Sequence, residues 1–178
     1  MSSRLGLAAA LVCATALIAG CAPAAVPTPT KTAAFASEDE AFAAAEKTYR
    51  AYVDALNNVD LADPATFEGL YRWETGEALA TDKKAFTQMH ADGWSMDGTT
   101  ELALIEPADY ESGSSLQMDA CVDVGAVTLV DDQGMSMVAA DRGDIQALVI
   151  RFDPSESTET GWRISQVSGR DGGPQCDS

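Results

Sequence analysis

The chain has 178 residues, 28 of them acidic and 11 basic, for a formal net charge of -17. That balance repels nucleic acid and anionic headgroups, and on an exposed surface its ordinary consequence is solubility, with basic partners or Ca²⁺ as the ligands it could draw. The length allows one core of ordinary size and is too short for two once the segments described next are set aside.

Arg4 is the lone charge of a short leading region, and from Leu5 to Gly20 the chain is apolar and Ala-rich without another charge. A spanning helix needs about 20 apolar residues. This shorter run has signal-peptide architecture instead, and a single arginine does not support a twin-arginine route. It closes on Ile18-Ala19-Gly20-Cys21, which resembles a bacterial lipobox. The resemblance implies that residues 1–20 are a lipoprotein signal peptide and that Cys21 becomes the acylated amino terminus. The expected location is then the extracytoplasmic face of the cell membrane, held by lipid. Residues 21–36 are rich in Pro, Ala and Thr without apolar periodicity and read as a tether. A single globular domain is expected over 37–178.

Of the four cysteines, Cys13 leaves with the signal peptide and Cys21 is consumed by lipid. Cys121 and Cys176 remain, and an exported pair in an oxidising compartment is expected to form a disulfide. Two metal-ligand thiols are the rival reading, but no CxxC spacing and only one histidine are present to complete a tetrahedral site. No cofactor and no metal are expected.

Ser37 followed by Glu40 has capping-box spacing, and Phe42, Ala45, Tyr49, Tyr52, Val53 and Leu56 recur at helical intervals up to Asn57-Asn58. This predicts one long amphipathic helix. Asp63-Pro64 supplies a cap and a first-turn proline for a short second helix carrying Phe67, Leu70 and Tyr71. A third begins around Thr75-Gly76, presents Leu79, Phe86 and Met89 on one face, and stops at Gly93.

From Gly98 the period becomes two. Thr100, Leu102 and Leu104 share a strand face, and Leu116, Met118, Ala120, Val122 and Val124 share a face of the next strand. Residues 127–130 and 135–138 flank Asp131-Asp132-Gln133-Gly134, which predicts a hairpin. Leu148, Ile150 and Phe152 alternate in a further strand, and Trp162, Ile164 and Gln166 in the last. Helices followed by antiparallel strands predict an α+β fold, three N-terminal helices packed on one face of a curved sheet.

That order resembles the NTF2-like cone, also seen in SnoaL-like and ketosteroid-isomerase-like proteins. More narrowly, the lipobox and tether precede Thr75-Gly76-Glu77-Ala78-Leu79, Gly93, Gly98, Ala120-Cys121-Val122-Asp123-Val124, Asp131-Asp132-Gln133-Gly134, Gly161-Trp162-Arg163-Ile164 and Cys176. Together these are similar to actinobacterial lipoproteins of unknown function. The resemblance implies a fold and carries no activity.

Isomerase-type members of that superfamily use an Asp base with Tyr or Asp donors inside the cone. Tyr49, Tyr52, Asp119 and Asp123 stand in suitable elements here. Tyrosines on a helical stripe are ordinarily core or rim, however, and Asp119 and Asp123 alternate onto the face opposite Met118 and Val122, which predicts solvated carboxylates. His90, alone, suggests neither a metal site nor a triad. Arg142-Gly143-Asp144 reads as turn residues, and residues 169–174 as a flexible tail to Cys176. The resulting expectation is a non-enzymatic module that meets an extracytoplasmic protein or small ligand. Its small pocket would be drawn from Tyr49, Tyr52, Trp73 and Asp123, and a pocket enzyme using an inward Asp is the alternative.

Overall fold

The structure, a computed structural model, describes residues 35–176; Cys21, the signal peptide and most of the tether lie outside the described residues. Helix α1 spans Glu38–Leu56, with the Ser37 side chain accepting from the Glu40 amide at 3.1 Å. Glu40 reciprocates one residue further out, taking the Ala36 N–H at 2.8 Å. These bonds satisfy donors that a helix start would otherwise leave unpaired. Asp63 caps a 3₁₀ turn, Pro64–Thr66, that leads into α2, Phe67–Tyr71. Helix α3 covers Gly76–Ala91 and ends before Gly93, whose φ of 69° is the left-handed geometry of a helix stop.

Four antiparallel strands follow in the order β2, β3, β5, β6: β2 Glu101–Glu111, β3 Ser115–Asp123, β5 Ile145–Pro154 and β6 Trp162–Gly169. Pro107 lies within β2 beside a register shift, and β2 is an edge strand, the one place in a sheet where a missing N–H is tolerated. The chain is thus α+β, with α1 over β2, β3 and β6 and α3 against β6.

The predicted hairpin over 127–138 is corrected in part. Its turn forms, with the Gly134 amide bonded to the Asp131 carbonyl at 3.1 Å. Beyond it only a single bridge, Val130 to Ser136, is made, and Met135 is 63 % exposed. Strand β4, Thr128–Val130, pairs instead with β1, Ser95–Asp97, in a separate two-stranded sheet. A segment of polar and exposed methionine residues buries too little to hold a second strand, whereas Met96 and Leu129 pack against the core.

Between helices and sheet the interior is filled by Tyr49, Leu70, Leu116, Met118, Ile150, Phe152, Trp162 and Ile164, none more than 2 % exposed. Each buried side chain of this size contributes about 1.5–3 kcal/mol. Trp162 also donates its indole N–H to the Ala41 carbonyl, and Thr48 donates to Thr160 at 2.7 Å, joining α1 to the β5–β6 loop. Phe35 stacks on Trp162 with centroids 5.2 Å apart, so ordered packing begins before residue 37.

The outer face of the sheet carries the disulfide. Cys121 and Cys176 are bridged, with Cα atoms 5.6 Å apart. The segment expected to be a flexible tail is pinned: Arg170 lies over both sulfurs, donates to the Gly172 carbonyl, and faces Asp119 at 3.8 Å. Asp119 therefore points outward, as alternation predicts, but its side chain is only 17 % exposed because this segment covers it. Arg142 donates to the carbonyls of Val124 and Val127, which makes the Arg-Gly-Asp string a structural turn.

Candidate functional site

Of the residues singled out in the sequence, Tyr49 and Tyr52 meet, and Asp123 lies elsewhere. Tyr49 is 2 % exposed and belongs to the core, stacked on Tyr52 at 5.7 Å. Burial pushes its hydroxyl well above the usual phenol range. Trp73 is 6 % exposed and sits beneath the Arg72 guanidinium, 4.8 Å from its ring. It belongs to the hydrophobic core. Asp123 ends β3 on the far side of the sheet, accepts the Gly125 amide at 2.8 Å, and lines a broad depression with Glu101 and Asp144. His90 bonds through Nδ1 to the Leu61 carbonyl, tying α3 to the α1–α2 loop.

Tyr52 lines a narrower cleft whose titratable groups are partly buried. The cleft has a volume of about 260 Å³ and is bordered by Tyr52, Glu74, Glu77, Ala78, Thr81, Asp82 and Val167. Its geometry follows from one long-range pairing. The Thr75 amide bonds to the Ile164 carbonyl and the Ile164 amide to the Trp73 carbonyl, both at 2.8 Å, which lays the α2–α3 connection along the edge of β6. Glu74, between those two bonds, is turned inward and is 1 % exposed. Nearly two helical turns into α3, Asp82 faces the same space, and its Oδ2 accepts the Tyr52 hydroxyl at 3.1 Å.

Among the described residues, neither carboxyl oxygen of Glu74 receives a donor. Asp82 is the polar group beside it, and two carboxyl groups can bond to each other only if one keeps its proton. Glu74 keeps it. Burial, then the Asp82 charge and the bond to it, push Glu74 up to about 9, with Arg163 opposing. Asp82 is raised by burial but drawn back by its bonds to Glu74 and Tyr52. The Tyr52 hydroxyl is held well above the phenol range, by burial first and by the Asp82 and Glu74 charges next. At neutral pH the cleft thus presents a neutral carboxylic acid on Glu74 and a phenol on Tyr52, both beside Asp82.

Asp82 could have been found from the sequence. It falls three residues after Leu79 and four before Phe86, a charge inside the apolar stripe of α3. Glu74 leaves no such signal, since its burial comes from pairing with a strand 90 residues later. Among the described residues no cluster of His, Cys, Asp and Glu is arranged to hold a metal ion.

No protein-family model matches the chain, and no curated protein matches its sequence. Solved structures do. The intermembrane-space region of the chloroplast protein ARC6 aligns with a TM-score of 0.50 at 16 % identity, over 72 % of this chain and 95 % of that one. A putative polyketide cyclase from Xanthomonas campestris pv. campestris aligns with a TM-score of 0.36 at 12 % identity, over 72 % of this chain and 90 % of that one. A periplasmic fragment of TraM aligns with a TM-score of 0.40 at 14 % identity, over 78 % of this chain and all of that one. The first likeness shows a shared fold and nothing about activity, and the other two superpose too loosely to carry an argument.

Proposed function

We propose that this protein is a binding module on an NTF2-like cone with a curved sheet, tethered to the extracytoplasmic face of the cell membrane by a lipid on Cys21. The observation that carries the binding reading is the filled interior. Phe152, Trp162 and Tyr49 occupy the volume between helices and sheet that a substrate would need, so ligand capacity is left to clefts at the flank. The tether is supported by the Ile18-Ala19-Gly20-Cys21 string and by a disulfide, which belongs to an oxidising compartment. No helix of the described residues is long and apolar enough to cross a membrane.

Cys21→Ala with cell fractionation and palmitate labelling tests the anchor. The wild type is expected to be labelled and membrane-bound, the variant neither; an unlabelled, freely released wild type refutes the reading. A second reading, an acid–base enzyme of isomerase or hydrolase type, is favoured by the contact of Asp82 with Tyr52 and Glu74. Deuterium exchange into cyclohexanone that the wild type accelerates and Asp82→Asn does not would put it ahead.

A further inference from the structure

We propose that the cleft between α1, α3 and β6 binds a primary ammonium group on a short apolar stem, held by Asp82, Glu74 and the Tyr52 hydroxyl. The inference rests on the binding-module reading and names its ligand class. The cleft holds more acceptors than donors. Neither Glu74 oxygen receives a donor, the proton of Glu74 and the Tyr52 hydroxyl are both directed at Asp82, and the rim residue Glu77 adds a further carboxylate. A compact ammonium supplies three N–H donors from one point, matching convergent acceptors in a cavity of about 260 Å³. Ala78 and the 37 % exposed Val167 give the rim an apolar border for a methylene stem.

Proton linkage gives the site a signature. The groups acting on Glu74 are Asp82 from α3 and Arg163 from β6, while Tyr52 and Tyr49 from α1 and Tyr71 from α2 are neutral phenols raised by burial. Below a pH of about 9 Glu74 holds its proton. An arriving cation stabilises the carboxylate and displaces that proton to solvent, so affinity rises with pH by up to about tenfold per unit between pH 6 and 8. The ligand amine, with a pKa of about 10.4, stays charged throughout that range.

The test titrates purified full-length protein with n-butylammonium to about 50 mM, a range suited to so small a ligand. Amide chemical shifts are read at pH 6, 7 and 8. Saturable shifts in α3 with the expected pH slope support the proposal; their absence, or equal shifts from tetramethylammonium, which has no N–H donor, overturns it. Glu74→Gln is expected to bind without the pH slope and Asp82→Asn not to saturate, while a full slope retained in Glu74→Gln overturns the assignment. Because the slope is measured on the wild type, a variant that fails to fold leaves the test intact. Blocked lysine, N-acetyl-lysine methylamide, separates the sources: binding points to lysine side chains of a protein partner, and binding of butylammonium alone points to a free amine. Failure of these titrations leaves Cys21 labelling untouched, so the two readings fall separately.

Discussion

The buried proton on Glu74 makes the folded state sensitive to pH in the direction opposite to that of a salt-bridged carboxylate. An unfolded glutamate has a pKa of about 4.3, and in the folded chain Glu74 is pushed up to about 9. Between those values the folded state holds a proton that the unfolded state has released. Stability is therefore fully present at the acid end and falls as pH rises, by up to about 1.4 kcal/mol per unit. From pH 6 to 8 the loss attributable to this group is about 2.7 kcal/mol. Asp82 is raised as well by burial, while its bonds to Glu74 and Tyr52 draw it back. Glu74→Gln keeps a neutral donor toward Asp82 and removes the titration. Urea unfolding of the unreduced proteins, followed by the fluorescence of Trp73 and Trp162, measures both at pH 6, 7 and 8. The variant is expected to gain on the wild type by about 2.7 kcal/mol across that range. Parallel stability profiles would refute a buried, protonated Glu74.

Replacing Cys121 and Cys176 together by serine opens a bridge that spans 55 residues and is expected to cost about 4 kcal/mol on the chain-entropy account. A loss under about 1 kcal/mol in urea unfolding, or free alkylation of both thiols in unreduced protein, would contradict it. At Gly98, with φ at 89°, an added Cβ would collide with the Ala126 carbonyl, whereas at Gly134, with φ at 80°, it would meet nothing within 4 Å. Gly98→Ala is expected to lose about 3 kcal/mol or more and Gly134→Ala about 1; equal losses by chemical denaturation would mean that backbone strain alone sets both.

The helices were legible because their signals are local. Ser37 and Glu40 lie three residues apart, the stripe through Phe42, Tyr49 and Val53 needs only a 3.6-residue period, and Asp63-Pro64 caps its own turn. The strand around Val122 was equally plain from alternation, and with it the outward direction of Asp119 and Asp123. The bridge between Cys121 and Cys176 matches what the reading of an oxidising compartment led one to expect. What covers a face is a different matter. That Asp119 lies under Arg170, and that β4 joins β1 rather than residues 135–138, depends on which segments return to bury which edges.

The cleft shows the division most sharply. Tyr52 was reachable from the periodicity of α1, and Asp82 stood in the apolar stripe of α3 as a charge out of place. Glu74 could not be read, because two hydrogen bonds to Ile164 turn it inward and those bonds form only when β6 closes the sheet. Sequence alone determines local periodicity and capping, since each depends on neighbours in the chain. Tertiary structure decides which carboxyl groups share a dry space, because desolvation and charge coupling act through distance and not through position along the chain.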